Sequence, residues 1–121
     1  MRKMEQAKTY KELKVWQNAH ELVMHVYELT KQFPKDELFG LTSQLTRAAV
    51  SIPSNIAEGF GRWGSNDKAR FYNYAEGSLN EIDYQLFLAQ ELGYAKTDFL
   101  TPLREKLKSQ LTNYISSIRK D

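Results

Sequence analysis

Apolar residues recur at intervals of three and four in four successive stretches of this 121-residue sequence, and short turn signals separate the stretches. That spacing collects the apolar side chains of each stretch on one side of a helix. No stretch alternates apolar and polar residues as a half-buried strand would. The first runs from about Lys11 to Gln32, with a stripe of Trp16, Ala19, Val23, Val26 and Leu29 or Thr30, widened by Leu22 and Tyr27. Phe33-Pro34 stops it, because proline disfavours a helical residue before it. The second, with Asp36 as its expected N-cap, carries Leu38, Leu41, Leu45, Ala48, Ala49, Ile52 and Ile56. Pro53 lies inside this register, so either a kink near residues 49–53 or two shorter helices is expected, and the unbroken register favours the kink.

Gly59, Gly61 and Gly64 mark the next loop, read as a helix–helix turn that needs positive φ. Ser65 or Asn66 caps the third helix, and Asp67 suits its positive end. Its stripe is Phe71, Ala75, Ser78 or Leu79, Ile82, Leu86 and Ala89, ending at Leu92-Gly93 with glycine past the last turn. The fourth begins at Thr97 or Thr101, tolerates Pro102 in its first turn, and carries Leu100, Leu103, Leu107, Leu111, Tyr114 and Ile118. Four helices with short connections predict an all-α fold, an antiparallel up-down-up-down four-helix bundle. A chain of this length makes one domain, residues 1–121, with residues 1–10 or so as an N-terminal extension.

Composition narrows the chemistry. An apolar share of 41% with 26% charged residues belongs to a globular chain. The absence of cysteine excludes disulfides, thiol catalysis and thiolate metal sites, and fits the expected cytoplasmic location. The first residues, Met1 to Lys8, have no apolar stretch after their charges, so no secretory signal is read there. No window approaches about 18 uninterrupted apolar residues, so no membrane partner is expected. A carboxylate-bridged di-metal site would need Glu-x-x-His pairs on two helices. Here His20 and His25 share one helix and neither has a glutamate three residues before it, while Glu21 lies with His25 toward the polar side. No metal, no cofactor and no small-molecule substrate are expected. A Ser–His dyad would depend on a chance tertiary meeting. Gly59-Phe60-Gly61-Arg62-Trp63-Gly64 follows a helix rather than a strand and lacks the Gly-Lys-Ser/Thr ending of a phosphate loop. The chain is therefore expected not to be an enzyme.

Charge is unevenly placed although the net value is only +2. Residues 1–14 hold Arg2, Lys3, Lys8, Lys11 and Lys14 against Glu5 and Glu12. Residues 72–95 hold Glu76, Glu81, Asp83 and Glu91 without a lysine or arginine. The last stretch returns to basic, with Lys96, Arg104, Lys106, Lys108, Arg119 and Lys120 against Asp98, Glu105 and Asp121. Such asymmetry serves nucleic acid, pairs the acidic face of one subunit with the basic face of another, or is an ordinary solvated surface. A polar stripe on the second helix, Arg47, Ser51, Asn55, Glu58 and Arg62, sits about 130° from the apolar one. It reads as a hydrogen-bonded network at a helix or subunit interface, a solvated face, or a ligand site. Most aromatic residues, among them Trp16, Phe71 and Tyr114, fall on apolar stripes and read as core; Phe60 and Trp63 do not, and are expected to plug a neighbouring subunit or to stack on a base.

Several stretches, taken in order, carry a family resemblance: Leu13 to Ala19, Phe33-Pro34, Glu37 to Leu41, Gln44 to Gly59, Gly61-Arg62, Gly77 to Glu81 and Leu92 to Tyr94. The run Val50-Ser51-Ile52-Pro53-Ser54-Asn55-Ile56-Ala57-Glu58-Gly59 is the most specific. Over about residues 10–119 the chain resembles the bacterial four-helix-bundle proteins first noticed as reading frames within 23S rRNA intervening sequences. It departs from them at Thr46, where the family often has an arginine beside Arg47. The resemblance implies a four-helix subunit and a ring-shaped homopentamer, and no known reaction. The family is also similar to the accessory variability protein of diversity-generating retroelements, a basic pentamer that partners a reverse transcriptase. The expected partners are accordingly copies of the chain itself and RNA or a reverse transcriptase-like protein. Nucleic-acid binding is expected through Lys8, Lys11, Lys14, Arg104, Lys106 and Lys108. The competing reading is an adaptor or scaffold that recognises protein alone.

Overall fold

The computed structural model describes residues 7–120, with only the backbone of Lys120. The charges noted at Arg2, Lys3, Glu5, Asp121 and the Lys120 side chain lie outside the described residues. The helices are α1 (Lys14–Thr30), α2 (Leu41–Phe60), α3 (Ser65–Glu91) and α4 (Thr101–Lys120), with 3-10 turns at Tyr10–Glu12, Lys35–Glu37 and Asp98–Leu100. Among the described residues there is no strand. Contacts between neighbours run in opposite sequence directions. Ser51 meets Ser78 while Gly59 lies against Tyr72, so α2 and α3 are antiparallel. Arg104 pairs with Asp83 and Thr112 with Glu76, which sets α4 against α3. Asn18 bonds Gln110 and His25 meets Phe99, which returns α4 to α1. Since α1 also packs on α2, the four helices close a ring of neighbours, the expected bundle.

The buried faces follow the three–four spacing, with some rotations. On α1 the stripe is Val15, Ala19, Leu22, Val26 and Leu29, while Trp16 and Val23 sit beside it and Tyr27 is exposed. Leu38, expected inside, is 56% exposed because it belongs to the turn before α2. Tyr72 rather than Phe71 enters the core from α3, and Ile115 joins Leu107 and Leu111 on α4. Core leucine and isoleucine burial of this kind is the main source of stability, about 1.5–3 kcal/mol for each fully buried side chain.

Helix ends explain the loops. α3 stops at a Schellman turn: Gly93, at φ 78°, donates to the Gln90 carbonyl at 3.0 Å, and Tyr94 donates to Ala89 at 2.9 Å. Among the described residues Gly93 alone has a positive φ. Gly59, Gly61 and Gly64 therefore do not serve the backbone freedom expected of them. Gly59 lies inside α2 for a different reason: a Cβ there would fall 2.9 Å from Tyr72 Cε1 and 3.2 Å from the Lys68 carbonyl oxygen. Its missing side chain lets α3 approach α2. Lys68 then turns back to give Nζ bonds to the Gly59 and Phe60 carbonyls at 2.8 and 3.0 Å, closing the C-terminal end of α2 with a cation. Burial lowers the pKa of this ammonium. Pro53 does not divide α2, which runs unbroken from Leu41 to Phe60.

The start of α2 is held by Glu37, not by Asp36. Glu37 Oε1 accepts the Leu41 amide at 3.1 Å, and Oε2 accepts the Tyr94 hydroxyl at 2.7 Å, which ties the two loops at this end together. The Tyr94 bond, then the Leu41 amide, holds the Glu37 carboxyl below its ordinary value of 4.5. A carboxyl whose pKa is lower folded than unfolded contributes stability above the unfolded value, and loses it as pH falls through the folded one. Glu37→Gln is accordingly expected to flatten the decline in stability below pH 4.5, measured by urea unfolding across the acid range. Asp67, lowered chiefly by its bond to Arg70, keeps part of that decline in the variant.

Candidate nucleic-acid interface

The bundle brings together basic residues that are far apart in sequence. The N-terminus of α1, the α2–α3 connection and the C-terminus of α4 share one end, where Lys8, Lys11, Lys14, Arg62, Lys68, Arg70 and Arg119 lie. Three of these are engaged locally. Arg62 bonds Glu58 at 3.0 Å and stands 3.7 Å from Asp67, with its guanidinium 4.6 Å from the centre of the Phe71 ring. Arg70 bonds Asp67 at 2.5 Å and covers the other approach to Phe71 at 4.7 Å. Lys68 is the α2 cap described above. Lys8, Lys11, Lys14 and Arg119 remain exposed to solvent. The opposite end carries Glu28, Asp36, Glu37, Glu91 and Asp98 against Lys31, Lys35 and Lys96. The long axis of the bundle therefore runs from a basic end to a more acidic one.

The other expected cations are arranged differently. Arg104 gives Nη1 to Asp83 at 2.6 Å and Nη2 to Thr101 at 3.1 Å, with a side chain only 16% exposed, so it joins α4 to α3. Lys106 and Lys108 are both exposed, but two residues along a helix are about 200° apart around its axis. They sit on opposite flanks of α4 and form no common patch.

The polar stripe of α2 separates into parts. Ser51 and Ser78 share a hydroxyl–hydroxyl bond across α2 and α3, and Ser51 Oγ also lies 2.9 Å from the Ala48 carbonyl. Asn55 donates back to the Ser51 carbonyl at 2.8 Å. Arg47 is exposed, and Glu58 with Arg62 forms an ion pair at the solvent boundary. Glu58 is 58% exposed at its side chain, so Glu58→Ala is expected to change stability by less than about 0.5 kcal/mol in thermal unfolding. Beside this pair is a notch of about 420 Å³, bordered by Tyr10, Ser54, Ala57, Glu58, Gly61 and Arg62. Sequence reasoning missed it, since Tyr10 lies 44 positions before Ser54 and only the fold joins them; the run of small residues at positions 54, 57 and 61 was its one visible sign.

The two most exposed aromatic side chains lie at opposite ends. Trp63, between α2 and α3, is 99% exposed at the basic end, and Phe39, between α1 and α2, is 94% exposed at the other. A second, wider groove of about 1140 Å³ lies near Phe99, His25 and Tyr94 at that acidic end. Both histidines have ring partners: His20 stacks on Trp16 at 5.3 Å and His25 meets Phe99 edge-on at 5.7 Å. Among the described residues no three His, Asp or Glu side chains group closely enough to hold a metal ion. None of their helices is long and apolar enough to cross a membrane.

The sequence profile of the 23S rRNA-intervening sequence protein family matches residues 11–116. The chain belongs to that family. The match bears out the resemblance carried by the Val50–Gly59 run and spans α1, α2, α3 and most of α4. No curated protein matches the sequence. The family's span includes Lys11 and Lys14 but stops short of Lys8 and Arg119, so the basic end is partly built outside it.

Proposed function

We propose that this member of the 23S rRNA-intervening sequence protein family is a non-enzymatic bundle that associates with copies of itself and binds RNA, or a nucleoprotein containing it, through its basic end. The observation that carries the reading is the gathering of exposed Lys8, Lys11, Lys14 and Arg119 at the same end of the bundle as the exposed Trp63. Cations of this kind hold phosphates, and an aromatic face held in water stacks on an unpaired base. Self-association is supported by the outward face of α3. Gly77 sits there in mid-helix with nothing within 4 Å of a would-be Cβ, and Tyr84 and Phe87 are exposed on the same side. An exposed mid-helix glycine costs about 1 kcal/mol relative to alanine, which close approach of another copy would offset. A ring, five-membered as in related proteins, would place several basic ends on one assembly and raise affinity by multivalency.

The same α3 face favours a second reading, a scaffold that recognises only protein. Fluorescence anisotropy with structured and single-stranded RNA across a salt series separates the two, with mass measured by light scattering on the same sample. The RNA reading expects binding whose logarithm falls linearly with the logarithm of salt concentration. Absence of binding at low salt overturns it and leaves the scaffold.

A further inference from the structure

The notch at the C-terminal turn of α2 combines a lining of small residues, an aromatic border and a polar edge. Ser54, Ala57 and Gly61 follow one another at three and four residues, so small side chains line one side of the helix where the notch opens. Tyr10 borders it, and its ring is braced by Trp16 at 5.1 Å, itself stacked on His20 with the two planes only 2° apart. A braced ring loses little freedom when a second ring stacks on it. Glu58 and Arg62, paired at 3.0 Å through Oε2 and Nη2, supply the polar edge. Both are solvent-accessible. Arg62 Nε also stands 3.7 Å from Asp67 and its guanidinium covers Phe71, so the remaining guanidinium N–H groups face a ligand, with Glu58 Oε1 and the second lone pair of Oε2 as the two acceptor positions. Lys8 and Lys11 are exposed cations close to Tyr10 in the chain.

An arginine beside a glutamate offers a donor followed by two acceptor positions. The Watson–Crick edge of guanine is the complement: the O6 acceptor, then the N1–H and N2–H donors. Adenine and cytosine place a donor where the arginine needs an acceptor, and uracil supplies one donor where guanine has two. We propose that this notch receives an unpaired guanine base, stacked against Tyr10 with its Watson–Crick edge on Arg62 and Glu58. Unpaired bases in RNA are recognised by this combination of stacking and edge reading. The assignment deepens the nucleic-acid reading and rests on it, and free nucleotides test the two separately.

The experiment is an NMR titration of the full chain with GMP, IMP and AMP, followed by anisotropy with single-stranded oligonucleotides carrying guanosine or inosine at one position. GMP is expected to shift the Gly61 amide and the Tyr10 ring signals, with AMP leaving them in place. IMP, which lacks the N2 amine, is expected to bind about tenfold more weakly than GMP. Glu58→Gln, at an exposed site, is expected to bring GMP down to the level of IMP. Equal shifts from GMP and AMP, no shift from GMP, or an unaltered GMP preference in Glu58→Gln each overturn the proposal. Oligonucleotide binding that responds to salt but not to the guanosine–inosine exchange sinks the notch and spares the general RNA reading. GMP selectivity without oligonucleotide binding does the reverse.

Discussion

Replacing Tyr72 with alanine is expected to destabilise the chain by about 3–5 kcal/mol, the largest loss from any single exchange considered. The side chain is fully buried in α3 and its ring packs directly against Gly59 of α2, so truncation opens a void between the two helices. Burial also raises the pKa of its hydroxyl, a sign of how far that group is from water. The partner exchange, Gly59→Ala, illuminates the same contact from the other side. In an exposed helix interior, alanine in place of glycine would stabilise by about 0.5–1 kcal/mol. Here the added methyl meets Tyr72 Cε1 at 2.9 Å and the Lys68 carbonyl oxygen at 3.2 Å, so a loss of about 1–3 kcal/mol is expected instead. In the Tyr72→Ala background the ring is gone and the methyl has room. Gly59→Ala should then be close to neutral, giving a coupling of about 1–3 kcal/mol in a double-mutant cycle of urea unfolding. Additive losses would mean that the Lys68 carbonyl, not the ring, sets the spacing of the helices.

The second large effect is electrostatic. With Lys8, Lys11 and Lys14 all changed to glutamate, RNA affinity at about 0.1 M salt is expected to fall about a hundredfold, since three contacts of about 1 kcal/mol each are removed. The slope of log K against log salt should shrink by about 2, because each phosphate contact on a single strand contributes about 0.7. All three side chains are exposed, so the melting temperature should hardly move. Lys106→Glu with Lys108→Glu, on opposite flanks of α4, is the informative comparison. A strand following one flank reaches only one of them, and a loss of no more than about tenfold is expected. A larger loss there than at the N-terminal lysines would move the interface onto α4.

The fold was legible because leucine and isoleucine repeat at helical spacing with glycine or proline between the runs. Helix faces were less so. Trp16 and Tyr27 drew the reading of α1 about one position away from Val15, and made Leu22 a flank of the stripe rather than its centre, since a wheel of mixed aromatics and aliphatics has more than one apolar arc. Phe71 and Tyr72 are neighbours of similar size, and only the gap left by Gly59 on another helix decides between them. The caps divided in the same manner: Gly93 is a local signal and was readable, whereas Glu37 acts on α2 from a preceding turn and is fixed by Tyr94, 57 residues away. The basic end depends on which helix termini meet. Lys11 and Arg119 carry no mark of lying at one end of the fold, and Arg104 looks as available as Lys106 until Asp83 is placed beside it.

The contrast between the two tryptophans makes the molecule its own optical reporter. Trp63 projects into water at the basic end, so its emission should be red-shifted and open to ionic quenchers, iodide being drawn there by the positive charge of that end. Trp16, half-buried between Tyr10 and His20, should emit to the blue and resist the same quencher. A strand laid over the end would shield the first indole, while a base entering beside Tyr10 would perturb the second. The two modes of occupancy are thus distinguishable by colour in a single unlabelled sample.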